Sequence, residues 1–221
     1  MAVADKQSTD RRAQILDAAV AVISRRGVDR ARLADVAEEA GVSLGLVQHY
    51  FRTRERLLFE TFRREQERIS SVWTAAVPAD TDPLFRLVEY LWLASPQGSE
   101  AAVAPFDSGW SFWLEFWSKA NRSDDIKSEF KDIYNDFAEL FRAAVHEGIE
   151  RKEFRLSGST EDSADRLVSL IDGLAVRTLL GEIERDRMLA LLLDALALEL
   201  GLNASQRRRI AAYAARRASS S

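Results

Sequence analysis

The stretch from Ala40 to Leu58, AGVSLGLVQHYFRTRERLL, decides the fold. Ahead of it, Ala34 to Ala40 reads as a helix with Val36 and Ala37 on its buried side. Gly41 stops that helix, because glycine takes the left-handed conformation that a tight turn demands. Val42 is expected to drop into the core. Ser43 suits the cap of a new helix, its hydroxyl accepting a bond from a backbone N–H of the first turn. In that new helix Val47 and Phe51 lie four apart on one face, while Gly45, Gln48, His49 and Arg52 point the other way. A helix, a glycine turn and a short helix with a polar outer face make a helix-turn-helix.

Outward from this core, residues 1–9 are polar and expected to be flexible, with Thr9 or Asp10 capping a first helix that runs to about Arg26 and ends at Gly27. Its inner stripe is Ile15, Leu16, Ala19, Val20 and Ile23. This helix completes a three-helix DNA-binding head over residues 10–56. From Arg54 to about Ala76 the pattern predicts one long helix that crosses from the head into a larger helical body, residues 57–203. In the body, Asp82-Pro83 starts a helix, Pro96 and Gly98 mark a loop, and the aromatic run SFWLEFW follows. A long helix spans about Asp124 to Gly148, and two apolar helices close the body. The tail over 204–221, which contains QRRRIAAYAARRASSS, is basic and expected to be frayed or weakly helical.

Composition supports an all-α protein. The 221 residues include only ten glycines and four prolines, and 47% are apolar, enough for a large core. Cysteine is absent, which excludes disulfides, thiolate metal sites and cysteine nucleophiles. The two histidines, His49 and His146, lie in different regions, and no glycine-rich phosphate loop occurs. An enzyme is therefore not expected, nor a cofactor or metal site. No apolar run follows a basic start at the N-terminus, and nowhere do about eighteen apolar residues run together, so a cytoplasmic protein with no membrane partner is expected. Net charge is −4. Its distribution is uneven: nine basic against six acidic residues from Arg11 to Arg56, but thirteen against twenty-four from Ser71 to Asn203. A basic head on an acidic body lets only the head approach phosphates.

The chain resembles the TetR family of transcriptional repressors. The resemblance rests on ILDAA at Ile15 to Ala19, DVAEEAGVS at Asp35 to Ser43, the spacing from Gly45 to Phe51, and RERLL at Arg54 to Leu58. GLVQHYF and LIDGLAVRTLLG look like the BetI branch, whose members respond to choline-pathway molecules. Departures occur where the family usually carries threonine, tyrosine and lysine; here the residues are Ala31-Arg32, Gln48 and Arg54. The resemblance implies a homodimer on a double-stranded, inverted-repeat DNA operator. Leu44, Gly45, Leu46, Gln48, His49 and Tyr50, introduced by Ser43, would face the groove; Arg54 would hold a phosphate, and Arg32 would add a further contact. A small-molecule effector would favour a head spacing that no longer fits the DNA.

Four of the five tryptophans lie between Trp92 and Trp117. Trp92, Trp110, Trp113, Phe116, Trp117, Tyr134 and Phe137 are candidate ligand-binding residues, because ring faces take flat apolar groups and attract cations. With the BetI-like resemblance, Glu115 or Asp107 would supply a counter-charge to a quaternary ammonium compound. The closing helices are apolar on more than one side. The resemblance pairs them with a symmetry mate through Leu167, Leu170, Gly173, Leu174, Leu189, Leu193 and Leu196. A helical carrier that binds a small molecule without DNA would also explain the aromatics, but it leaves the turn, the local arginines and the polar outer face without purpose.

Overall fold

The computed structural model describes residues 2–78, 80–98, 106–121 and 124–219, all without a strand, and leaves out the side chains of 2–9, 119, 124–126, 128–130, 132 and 133. The chain divides into two compact units, Met1–Ile69 with Ser111–Phe130, and Ser70–Trp110 with Lys131–Ser221.

In the first unit, α1 (Ala2–Arg26) packs Ile15, Leu16, Ala19 and Ile23 inward. Val20 is only half-buried, and Ala18 and Val22 are buried in addition. The expected helix start is corrected: helix begins at Ala2, since AVADKQ contains no glycine or proline to break it, and Thr9 and Asp10 sit inside the helix rather than capping it. A single turn, Val28–Arg30, leads to α2 (Leu33–Glu39), whose first turn is closed by Asp35 accepting the Arg32 N–H at 3.1 Å. Gly41, at φ 63°, ends it with two bonds, Gly41 N–H to Glu38 O (3.1 Å) and Val42 N–H to Ala37 O (2.9 Å). That double closure is a Schellman motif. Val42, expected in the core, is half-buried.

Next, α3 (Leu44–Phe51) starts where the Ser43 hydroxyl accepts the Leu46 N–H at 3.2 Å, and it buries Val47 and Phe51. After two residues, Arg52 and Thr53, α4 (Arg54–Ala76) begins, with the Thr53 hydroxyl accepting the Arg56 N–H. Within the unit it is tied to α1 by ion pairs: Arg12 reaches the buried Glu60, which also pairs with Arg56 on its own helix, and Arg64 meets Asp17 at 2.9 Å. Phe62 fills the interior against Phe112 and Phe116, ring centroids 4.4 and 4.0 Å away, from α6 (Phe106–Ala120).

The second unit centres on α5 (Pro83–Ala94), capped by Asp82, with every residue but Phe85 buried. Around it pack α8 (Thr160–Leu179), α9 (Arg185–Glu199) and α10 (Ala204–Ser219). The remaining helix, α7 (Asp124–Glu150), brings Phe137 against Trp73 and Phe141 against Tyr90. Helices α8 and α9 form a hairpin whose ends are joined by Glu199: it accepts from Arg166 Nε at 2.9 Å and from the Ser163 hydroxyl at 2.6 Å, and the Arg166 bond lowers its pKa.

The tail, expected to be frayed or weakly helical, is a helix held against α5. Asn203 caps α10 by accepting the Ser205 and Gln206 N–H groups. Ile210 and Ala214 are buried, and Tyr213 stacks on Phe85 at 4.6 Å. Arg217 grips the buried Glu89 with bonds of 2.9 and 3.0 Å. Its basic residues find acidic and aromatic partners on α5, which is why the helix docks.

Candidate nucleic-acid interface and effector site

The cap at Ser43 and the buried pair Val47 and Phe51 fix the rotation of α3, so the opposite face is outward. Leu44 is 41% exposed, and Gly45, Gln48 and His49 are exposed beside it. Leu46 and Tyr50 are half-buried, with the Tyr50 ring edge-on to His49 at 5.6 Å. Ser43 is exposed, but its hydroxyl is occupied by the cap. A Cβ on Gly45 would meet only the Ser43 hydroxyl, at 4.0 Å. Internal packing therefore does not require glycine there; what glycine supplies is bare backbone on the outer surface.

Most arginines of this unit are held by acids. Arg25 pairs with Glu39, Arg26 with Asp35 at 2.5 Å, Arg12 and Arg56 with Glu60, and Arg64 with Asp17. The side chains of Arg30, Arg32 and Arg52 are exposed and carry no ion pair or hydrogen bond among the described residues. Arg54 differs from expectation. Its Nε donates to Ala31 O at 2.8 Å and its Nη2 to Val28 O, so the half-buried guanidinium is turned inward onto the segment before α2.

The seven aromatic candidates are divided between the two units. Trp113, Phe116 and Trp117 belong to the first unit, and Trp92, Trp110, Tyr134 and Phe137 to the second. Phe116 is fully buried against Phe62, and Trp92 is buried in contact with Gly98, so both serve packing. Trp113 is half-buried, edge-on to Phe112 and Phe116; Trp110 lies beside Phe106, and Trp117 is half-buried. Of the expected counter-charges, Asp107 is exposed and paired with Arg185, and Glu115 lies beside Gly27.

A different group is brought together in the second unit. Phe137 sits edge-on to Trp73 at 5.1 Å, Trp73 stacks on Tyr90 at 5.9 Å, and Phe141 contacts both Phe137 and Tyr90. One helical turn from Phe137, the Tyr134 hydroxyl donates to the Asp172 carboxylate. Burial raises the Asp172 pKa from 3.8 to about 7. Removal from water disfavours the charged form. The sequence reading missed Trp73, Tyr90 and Asp172. An aspartate in the middle of the apolar run LVSLIDGLAV was the signal for the last.

The expected dimer residues divide as well. Leu167 and Leu196 are buried in the chain's own core, at 2% and 0% exposure, and Leu174 and Leu189 are nearly so. Leu170 and Leu193 are half-buried, and Gly173 is exposed with open space around it. The apolar side chains turned fully outward are instead Leu180, 68% exposed, and Leu198, 72% exposed. At helical spacing Leu180 shares a face of the α8 segment with Gly173, Val176 and Leu170, and Leu198 shares a face of α9 with Leu191 and Asp194.

Comparison with known proteins bears on each part. Residues 15–61 match the model of bacterial regulatory proteins of the tetR family, and residues 102–201 match the C-terminal region of BetI-type transcriptional repressors. The HTH-type transcriptional regulator BetI of Brucella canis is 28% identical, over 86% of this chain and 91% of that protein. A transcriptional regulator from Saccharomonospora viridis, solved in complex with choline, is 27% identical with a TM-score of 0.71, covering 84% of this chain and 95% of that one. A TetR-family regulator from Rhodococcus has the same fold, with a TM-score of 0.75 at 24% identity over 87% of this chain and 99% of its own. Among the described residues no helix is long and apolar enough to cross a membrane. The chain belongs to the TetR family of transcriptional regulators, with a BetI-type C-terminal region, and is a ligand-responsive DNA-binding protein.

Proposed function

We propose that this chain is a cytoplasmic homodimeric repressor that places two copies of α3 in successive major grooves of an inverted repeat and releases DNA when a small organic cation binds. The observation that carries the DNA contact is the outer face of α3, where Leu44, Gln48 and His49 are exposed around a glycine that packing does not require. Gln48 can bond an adenine bidentately, worth about 1–3 kcal/mol of discrimination, and Leu44 offers an apolar surface to a thymine methyl. Arg30 and Arg32 are free for phosphates, which fix register without reading sequence. Two-fold symmetry would set the recognition helices about 34–36 Å apart.

Leu180 and Leu198, with Gly173 allowing close approach, suit a bundle of two α8–α9 hairpins; exposed leucines on adjoining helices call for a cover. For the effector, Asp172 provides the counter-charge and Trp73, Tyr90, Tyr134 and Phe137 the ring faces. The choline-bound relative supports this class of ligand. A bound cation would offset the burial that keeps Asp172 neutral, so binding should tighten as pH rises through about 7. Release of DNA requires that the cation bind one head spacing better than the other.

The test is titration with choline, followed by tryptophan fluorescence, at about pH 6 and pH 8 for the unmodified protein and for Asp172→Asn. Tighter binding at the higher pH, lost in Asp172→Asn, supports a cationic effector. Unchanged choline affinity in Asp172→Asn, or none in either protein, would redirect the search to neutral apolar effectors.

A further inference from the structure

The joint between α3 and α4 is two residues, Arg52 and Thr53. Arg52 closes α3, its N–H donating to Gln48 O at 2.9 Å, and the next N–H, of Thr53, donates back to Phe51 O at 2.6 Å. Arg52 lies at φ 57°, ψ −54°. A two-residue backbone bond around a central residue at these angles is the γ-turn of positive φ, which is rare and strained for a residue with a Cβ. Glycine would adopt it without strain. An arginine stands there instead, its side chain exposed and without an ion pair or hydrogen bond among the described residues.

Two positions on, Arg54 is half-buried, and its guanidinium holds the carbonyls of Ala31 and Val28. That arginine closes the junction before α2 from inside. Of the two arginines that flank Thr53, only Arg52 presents its charge to the outside, at the C-terminal end of the helix whose other end reads bases. In helix-turn-helix docking the first residues of the recognition helix meet base edges, so its far end lies where backbone phosphates pass. A guanidinium fits a phosphate with two parallel N–H bonds.

We infer that Arg52 is the phosphate clamp at this corner of the head, and that Arg54 is a positioning residue that keeps α2 and α3 in register. The inference rests on the DNA-binding reading and adds a residue to it.

The test uses the full-length protein, a duplex selected by it from a random-sequence pool, and a mixed-sequence duplex of equal length. Affinities are measured between about 50 and 200 mM salt, alongside the thermal midpoint of each variant. Arg52→Gly should lower the log–log salt slope by about 0.9 per subunit on both duplexes while the midpoint stays level or rises, and Arg52→Lys should restore the slope. Arg54→Ala should lower the midpoint and leave the slope unchanged. A slope unchanged in Arg52→Gly overturns the inference, as does a slope lost in Arg54→Ala alone; both leave DNA binding itself intact. Salt-independent or absent binding by the unmodified protein overturns the DNA reading along with it.

Discussion

Replacing Asp172 by asparagine removes a carboxyl whose ionisation the fold opposes. Burial raises its pKa from 3.8 to about 7, so between about pH 4 and pH 7 the native chain keeps a proton that the unfolded chain has released. Stability is therefore undiminished below the lower value and is lost as pH rises through the window, at about 1.4 kcal/mol per pH unit. The full gap of roughly three units corresponds to at most about 4 kcal/mol, and the residue's partial exposure reduces this to about 2–3 kcal/mol. Asp172→Asn cannot ionise yet keeps an acceptor for the Tyr134 hydroxyl. Its advantage over the unmodified protein should thus grow by about 2 kcal/mol between pH 5 and pH 8. Urea unfolding followed by circular dichroism, at one fixed protein concentration because subunit association enters the stability, measures this. A difference between the two proteins that stays flat across the interval, or shrinks, refutes the reasoning.

Gln48→Ala should relax preference at one base pair of a selected operator by about 1–3 kcal/mol while leaving mixed-sequence affinity nearly unchanged, as competition with single-position operator variants would reveal. Leu180→Asp combined with Leu198→Asp puts charge on side chains that are already exposed, so monomers should fold normally but sediment as single subunits; a dimer that survives at micromolar concentration would place the interface elsewhere. Arg217→Ala leaves the Glu89 carboxylate, 5% exposed, without its guanidinium and should lower stability by about 1–3 kcal/mol, read from thermal melts. If melting does not change, α10 is not anchored by that pair.

The head was legible because its signals are local. Gly41 at a positive φ, Ser43 as a cap and the Val47–Phe51 spacing each act within a few residues, and the structure realises all three. Features set by distant partners were not legible. The spacing of Ile210, Tyr213, Ala214 and Arg217 is helical, but only Phe85 and Glu89 on α5 make it a docking face, and they lie more than a hundred residues away. Leu196 and Leu198 look alike in an all-apolar stretch, yet one is 0% and the other 72% exposed. Rotation about α9 decides this, and neighbours set the rotation. Among the aromatics, Phe116 is given to packing by Phe62, whereas Trp73 and Tyr90 join Phe137. Arg54 illustrates the limit of carrying a role by position: its guanidinium finds carbonyls inside the head.

The most direct test of ligand-responsive DNA binding is fluorescence anisotropy against DNA flanking the protein's own gene and against a scrambled duplex, over a salt series, with and without choline. Tight binding to the flanking DNA alone, at two subunits per inverted repeat and reversed by choline, is the expected result. Weak and equal binding to both duplexes, followed by failure of random-site selection to enrich any sequence, would contradict it.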